Sequence, residues 1–176
     1  DLRTVTMGIN ITGCARPGTE ETANAVFEKI KDHAANLVKT CNDFSSKYGL
    51  PVVNKRLAVS PVSNLLEGRD EEDALRIAQA MDAAAASANI DLIGGFTALV
   101  EKGITPGERV LIRSLPRVLS QTQRVCASLN VASTKTGINV DASQFAANTL
   151  LEMAKATADQ KGFAGAKLIV FANAPD

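Results

Sequence analysis

The chain has 176 residues, of which 19 are basic and 19 acidic, so its formal net charge at pH 7 is zero. Balanced charge gives no electrostatic attraction to nucleic acid or to an anionic membrane surface. Six Phe, one Tyr and no Trp leave few rings for stacking on bases, and no apolar run reaches the ~20 residues that a membrane span requires. The composition therefore predicts one globular domain over residues 1–176, cytoplasmic, without a nucleic-acid or membrane partner.

The cysteine usage indicates a reducing compartment. Cys14, Cys41 and Cys126 are an odd number at wide spacing, which argues against a disulfide framework. A zinc site is not predicted, because no two cysteines are close in sequence and His33 is the only histidine. No residue pattern identifies a cofactor.

The first half of the chain alternates between strand-like and helix-like segments. Apolar and polar side chains alternate over residues 3–12, which predicts a strand. Thr19 is the predicted N-cap of a helix that ends at Gly49, just before Pro51. A second strand follows over Val52–Val59. Asp70 is the predicted cap of a second helix, and residues 90–93 are apolar enough for a third strand.

The second half continues the alternation. Residues 110–112 form a short apolar run that indicates a fourth strand, and Pro116 suits the first turn of a helix reaching about residue 128. Residues 129–132 are a short apolar strand, and Asp141 is the predicted cap of the next helix. Residues 166–172 form a nearly continuous apolar strand, which is typical of a strand buried on both faces.

Strands that alternate with helices on this scale predict an α/β fold with a mainly parallel sheet and right-handed crossovers. No linker or internal repeat divides the chain, so a single domain is expected. A buried last strand needs a neighbour, and the sequence therefore predicts that the fold continues in further chain or in a second molecule.

Ligands of parallel α/β sheets gather beyond the carboxyl ends of the strands, so polar residues near those ends are the candidate site residues. Asn54, Lys55 and Arg56 lie within the second predicted strand. Adjacent strand residues point to opposite faces, so at most one of the two cations serves a given pocket. The alternative is a strand edge protected from pairing by charge.

Two glycine-containing stretches also follow predicted strands. Gly94 and Gly95, with Phe96 after them, would let backbone N–H groups approach a ligand, or they form a bulge or tight bend. The second stretch combines hydroxyls, an ammonium and an amide that could hold a carboxylate or phosphate, although it lacks the order of a Walker loop. Its alternative role is a polar turn before a helix. Its candidate residues are Ser133, Thr134, Lys135, Gly137 and Asn139.

Two cysteines are candidate nucleophiles. Cys14 follows the first predicted strand, and Cys126 precedes the strand at residues 129–132. A reactive thiolate needs a base or nearby positive charge, and Arg16 and Arg124 are the closest cations in sequence. The alternative for both is a buried side chain that behaves as a small apolar group.

Several of these segments resemble, in order, the N-terminal part of an uncharacterised family known as "PFL family protein". The segments that carry the resemblance are RTVTMGINI, GLPVVNKRLAVSPVS, IDLIGGFTALVEKG, VCASLNVASTKTGINV and AKLIVFANA. The resemblance implies a pyruvate formate-lyase-like α/β barrel, of which this chain would be part, and members more than twice as long. It adds Asn173 to the candidate ligand-binding residues and supports the two cysteines and the polar residues named above. It implies no radical chemistry and no established reaction.

The leading functional prediction is an enzyme part that binds a small anionic metabolite at the strand carboxyl ends. One alternative is a non-catalytic ligand-sensing or regulatory module. Another is a structural half-barrel completed by a second chain. The predicted partners are accordingly a small anion and either a homo-oligomer or a C-terminal portion of a longer protein.

Overall fold

The computed structural model describes residues 2–174, with only the strand backbone described for residues 173 and 174. Asn173 belongs to the last strand, and its side chain lies outside the described part. The strands are β1 Leu2–Ile9, β2 Val52–Val59, β3 Leu92–Leu99, β4 Val125–Ser133, β5 Gly137–Ile138 and β6 Leu168–Ala174. The α-helices are α1 Thr19–Ala34, α2 Leu37–Tyr48, α3 Glu71–Ser87, α4 Pro106–Gln121 and α5 Val140–Ala156.

The described strands form one sheet in which sequence order equals spatial order. β1, β2, β3 and β4 pair in parallel one after another, and β6 pairs in parallel with the free side of β4. The short β5 is antiparallel to the end of β4. The predicted α/β fold with a mainly parallel sheet is confirmed. The strand order never reverses, as in a segment of a barrel, and closure into a barrel remains a prediction.

One face of the sheet is covered by helices, and the other is largely uncovered. Leu57, Ile93 and Val125 are buried on the helix side. The residues next to them in the strands, including Arg56, Gly94 and Cys126, are only partly buried. Because successive strand residues point to opposite faces, these partly buried residues lie on the second face, which we call the open face. The core therefore sits between the sheet and its single layer of helices.

A bulge in β3 keeps its apolar residues on the helix side. The pairing of β3 with β4 shifts register between Ile93 and Phe96, which are both fully buried. Gly95 is the extra residue, with a φ of +110°, and a Cβ there would lie 2.4 Å from the Val59 carbonyl oxygen. Only glycine fits this conformation and this close approach. Because Gly95 is the extra residue, Ile93 and Phe96 both stay on the helix side and Gly94 lies on the open face.

The first predicted helix is in fact two helices. α1 ends at Ala34 and α2 begins at Leu37, so a continuous helix to Gly49 was wrong, although Gly49 does end α2 with a left-handed φ of +66°. The N-cap of α1 is Gly18 and not Thr19. The Thr19 hydroxyl instead donates to Asp73 of α3 at 2.5 Å, so it joins the two helices.

The predicted strand at residues 110–112 was wrong, because these residues lie inside α4. The helix begins at Pro106, after a capping box in which Thr105 and Glu108 bind each other's backbone N–H groups. This local signal outweighs the short apolar run, whose residues Leu111 and Ile112 face the core. Pro116 is inside the helix and does not begin it.

Two boundaries near β4 also differ from the prediction. β4 begins at Val125, so the helix predicted to residue 128 was too long and the strand predicted at residues 129–132 too short. The N-cap of α5 is Asn139 and not Asp141, because the Asn139 Oδ1 accepts a hydrogen bond from the Ala142 N–H.

The expectation that the last strand is buried on both faces was wrong for this chain. Leu168 is buried, but Ile169 is 63% exposed and Val170 is 37% exposed. Within the described residues β6 pairs with β4 alone. The apolar sequence of β6 therefore lies at an edge of the sheet. Among the described helices, none combines the length and apolar character needed to cross a membrane.

Candidate functional site

A cavity of about 410 Å³ lies on the open face, beside the first residues of β3, β4 and β6. Strands β1, β2, β3, β4 and β6 all contribute to it, together with the segment just before β6. Its lining residues are Thr6, Arg56, Leu57, Leu92, Gly94, Cys126, Ala166, Lys167 and Ile169. Three of the predicted site residues, Arg56, Gly94 and Cys126, are therefore brought together here.

Arg56 is the residue that brings a guanidinium group to the cavity. Its Nε is buried and has no hydrogen-bond partner among the described residues. A buried donor without a partner costs about 1–3 kcal/mol, so such an atom usually has a partner when the protein is in its working state. A planar guanidinium is well suited to a carboxylate or phosphate, because it can donate two parallel hydrogen bonds.

Cys126 places a thiol in the same cavity. Burial raises the pKa of the Cys126 thiol, while the positive charges of Lys167 and Arg56 act in the opposite direction. Burial is the larger effect, so the thiol stays protonated to a higher pH than an exposed cysteine. Its closest polar contact is the Arg124 carbonyl oxygen, 3.8 Å from Sγ. The thiol is thus next to positive charge, but the effect of burial on its pKa is larger.

Lys167 is a cavity residue that the sequence analysis missed. Its side chain is only 8% exposed, and its Nζ donates to the Thr122 carbonyl oxygen at 2.5 Å. Burial lowers the pKa of the Lys167 ammonium, and the negative charge of Asp82 and the nearby Cys126 oppose this shift. Nothing in its sequence context, FAGAKLIV, distinguishes it from a surface lysine before a strand. Only the tertiary position of β6 beside β4 brings it to the cavity.

Gly94 and Gly95 have different structural roles. Gly94 lines the cavity, and a Cβ at this position would meet only the Leu57 carbonyl oxygen, at 3.9 Å. Gly95 is the bulge residue, as the structural alternative predicted, and Phe96 is fully buried in the core. One of the three predicted positions therefore faces the cavity.

Asn54 and Lys55, which precede Arg56 in β2, are not among the residues that line the cavity. The Asn54 side chain donates to the Arg3 carbonyl oxygen of β1 at 3.0 Å. Lys55 uses its backbone N–H to bind the Asp91 carboxylate at 2.8 Å, and alternation places its side chain on the face opposite that of Arg56. Of the two cations only Arg56 lines the cavity, and a ligand role for either stays a prediction.

The polar stretch after β4 lies at the other end of that strand. Cys126 is the second residue of β4 and Ser133 is the last, so at about 3.3 Å per residue they are separated by about 23 Å. The structure thus brings the cavity residues together and keeps them apart from Ser133, Thr134, Lys135, Gly137 and Asn139.

Much of the polar capacity of this stretch is used locally. The Ser133 hydroxyl lies 2.8 Å from that of Thr136 and accepts from the Thr136 N–H. Asn139 caps α5 and donates from Nδ2 to the Val100 carbonyl oxygen at 2.7 Å. Gly137 has a φ of +72°, as a turn requires. Lys135 is exposed, and a ligand role for this turn stays a prediction.

Cys14 is packed in the core. It is 3% exposed, its thiol donates to the Ala25 carbonyl oxygen at 3.6 Å, and burial raises its pKa despite the charges of Lys29 and Arg16. Its environment is that of a small apolar side chain, and it is not among the residues lining the cavity.

Ser128, a further open-face residue, was missed because β4 was predicted too short, and Asn130 was not named as a candidate although the predicted strand contained it. Cys126, Ser128 and Asn130 occur at every second position, between buried apolar residues, and this alternation is the signal that was available. The Ser128 hydroxyl is 2.7 Å from the Thr97 hydroxyl of β3. Asn130 is 2% exposed, and its Oδ1 has no partner among the described residues.

The described residues contain no group of three or more His, Cys, Asp or Glu side chains arranged to hold a metal ion. The cavity donors are a guanidinium, an ammonium, a thiol and the hydroxyl of Thr6. This is a set suited to an anionic or hydrogen-bonding ligand.

Comparison with known proteins shows which family the chain belongs to. All of its residues, 1–176, match the family model described as "Uncharacterised ACR (DUF711)". The chain belongs to the DUF711 family. The resemblance to an uncharacterised family is therefore confirmed at this level, whereas the link to a pyruvate formate-lyase-like barrel stays a prediction.

Relatives of this DUF711 chain are considerably longer. The UPF0210 protein of Acetivibrio thermocellus is 47% identical over 176 residues, which are 100% of this chain and 39% of the relative. The UPF0210 proteins of Halothermothrix orenii and Methanococcoides burtonii are 45% and 47% identical over the same length, again 39% of each relative. The chain thus spans about two fifths of the length of these relatives, whose names state no activity.

Proposed function

We propose that the DUF711 chain contributes an anion-binding pocket to a larger enzyme, and that the pocket is the cavity on the open face. Arg56 would hold the acid group of a small metabolite, with Thr6 and Cys126 beside it. The observation that carries the proposal is the buried Nε of Arg56, which has no partner among the described residues and belongs to a side chain that lines a cavity.

The surroundings of Arg56 support an anionic ligand over a cationic one. No acidic side chain is among the residues that line the cavity, and Lys167 adds a second positive charge. A carboxylate at Arg56 would satisfy the buried donor and gain a charge-assisted hydrogen bond of about 1.5–3 kcal/mol. The absence of a side chain at Gly94 leaves room for the ligand beside the guanidinium.

The proposed anion site lies on the open face and not at the carboxyl ends of the strands, where the sequence predicted it. The site predicted at the carboxyl ends relies on Lys135, which is exposed and about 23 Å or more from Cys126 by strand length. The two locations make different predictions for mutation, so they can be separated directly.

The test is isothermal titration of the complete protein that carries this chain with acetate, and separately with inorganic phosphate. Arg56→Gln removes the charge and keeps a side chain of similar reach. We expect it to weaken binding of the acid by at least about tenfold, which corresponds to the loss of one charge-assisted hydrogen bond. Lys135→Ala is the matched control, and it should leave the affinity unchanged.

If Lys135→Ala weakened binding and Arg56→Gln did not, the anion site would lie at the turn after β4. If neither substitution altered binding, or neither anion bound, a ligand role for both cations would be rejected. The enzyme and ligand-sensing alternatives differ in turnover. If the acid binds but is recovered chemically unchanged after prolonged incubation, the sensing alternative is favoured.

The exposed apolar edge favours the second candidate, a structural half-barrel. Ile169 and Val170 are exposed on β6, and the relatives contain more than twice the length of this chain. A strand from the remainder of a longer protein, or from a second molecule, would cover them. This candidate is compatible with the anion pocket, because such a barrel would enclose the open face.

A further inference from the structure

The anion cavity continues across the sheet as a trough. Gly8 of β1 pairs with Ala58 of β2, and Ala58 pairs with Gly94 of β3. Because Ile93 pairs with Val125, Gly94 lies level with Cys126 of β4. Gly8 and Ala58 are exposed, and a Cβ on Gly8 would meet no atom within 4 Å. Three adjacent strands thus present almost no side chain along one line that ends at the thiol.

The two sides of this trough carry different chemistry. On one side, Thr6 and Arg56 are paired neighbours in β1 and β2. On the other side, Thr97 and Ser128 are paired neighbours in β3 and β4, with their hydroxyl oxygens 2.7 Å apart. One of these hydroxyls donates to the other, which leaves one hydroxyl hydrogen and several lone pairs for a ligand.

The dimensions favour an extended ligand that lies across the strands. Neighbouring strands are about 4.8 Å apart, so the line from Gly8 to Cys126 measures about 14 Å. The small residues only supply space. The indication of a ligand comes from the buried Nε of Arg56, which finds no partner in the described part of the chain, and from the cavity that this side chain lines.

We propose that the trough binds an extended, hydroxylated carboxylate, with its acid group at Arg56 and its hydroxyl groups along Thr97 and Ser128. The inference rests on the proposed anion pocket and adds the class of the ligand. A purely apolar acid would leave the hydroxyl pair without ligand contacts. An uncharged polyol would leave the guanidinium without a charged partner. This loses more binding free energy than the missing hydroxyl contacts do.

The experiment is isothermal titration of the complete protein with four probes: acetate, hexanoate, gluconate and sorbitol. Gluconate is expected to bind at least about tenfold more tightly than acetate or hexanoate, because it adds hydrogen bonds along the hydroxyl pair. Sorbitol, which has the hydroxyl groups but no charge, is expected to show no measurable binding.

Two variants locate the bound gluconate. Thr97→Val removes one hydroxyl of the pair while keeping the shape of the side chain, and Ser128→Ala removes the other. Each should weaken gluconate by about fivefold or more and leave acetate unchanged. Thr40→Val is the matched control, since Thr40 is an exposed threonine of α2 and is not part of the trough. Equal melting temperatures verify that all the variants fold.

The outcomes separate the two proposals. Acetate binding that depends on Arg56, with gluconate no tighter, would overturn the trough and keep the pocket. Tight gluconate binding that is insensitive to Thr97→Val and Ser128→Ala would also overturn the trough. If no acid binds, both proposals fail.

Discussion

Cys126 shows how single residues of the open face influence one another. Its thiol is partly buried on the open face, and burial raises its pKa, while Lys167 and Arg56 favour the thiolate. Gly94 lies between the strands of Arg56 and Cys126, so no side chain intervenes there. The charge state of the thiol therefore depends on whether the guanidinium is free or neutralised by an anion.

This dependence predicts the pH profile of alkylation. Iodoacetamide reacts with the thiolate, so Cys126 should react slowly at neutral pH, with an apparent pKa above the ~8.5 of a free cysteine. Arg56→Gln removes a charge that lowers the pKa, so the pKa should rise further and the rate at a given pH should fall. The measurement is the rate of adduct formation at Cys126, by mass spectrometry, from about pH 7 to 10.

Saturating acetate should slow the reaction of the unmodified protein in the same direction. It should have no effect on Arg56→Gln, in which the acid no longer binds. An apparent pKa below that of free cysteine, or equal rates in the two proteins, would contradict this account of the site.

At the level of elements, the bulge in β3 decides what the open face contains. Without the extra residue Gly95, the residues after it would change faces, and Phe96 would leave the core. The position of Thr97 beside Ser128 follows from the same bulge. A single irregularity therefore sets both the core packing of β3 and the polar side of the trough.

Substitution of the bulge glycine tests this role. Gly95→Ala forces a Cβ to within 2.4 Å of the Val59 carbonyl oxygen and of its Cγ2, at a φ of +110°. We expect the free energy of unfolding to fall by at least about 2 kcal/mol, measured by urea denaturation.

The adjacent glycine is the control for this measurement. Gly94→Ala adds a Cβ whose nearest atom, the Leu57 carbonyl oxygen, is 3.9 Å away. Its stability should stay within about 1 kcal/mol of the unsubstituted protein. Equal effects of the two substitutions would show that the bulge does not require glycine.

For the whole molecule, the decisive feature is a parallel sheet with helices on one face only. All-parallel sheets are normally covered on both faces, because their strands are largely apolar. In the described part of this chain the open face and the outer edge of β6 are uncovered, and Ile169 is 63% exposed. The greater length of the DUF711 relatives offers a source of cover.

Hydrogen exchange tests whether β6 is covered in the complete protein. The backbone amides of Leu168–Ala174 that point away from β4 should exchange rapidly in residues 1–176 expressed alone and at least about tenfold more slowly in the complete protein. A further strand paired with β6 would protect its outer amides. Leu92–Leu99, which pairs on both sides, is the internal control and should be protected in both samples. Equal exchange of β6 in the two samples would exclude a covering strand.

The sequence by itself determined the alternating α/β class, the positions of most strands and the caps with strong local signals. These depend on short-range periodicity and on side chains near their own backbone, as with Asp70 at the start of α3. Local patterns misassigned residues 110–112 and shortened β4, because apolar runs are compatible with both helix and strand until packing selects one.

Only the tertiary structure decided which polar residues share a site. Strand pairing placed Arg56, Gly94, Cys126 and Lys167 around one cavity although more than a hundred residues separate the first from the last. It also placed the turn at Lys135 at the opposite end of β4. Register and the bulge are properties of strands in contact, so no single segment of the sequence could reveal them.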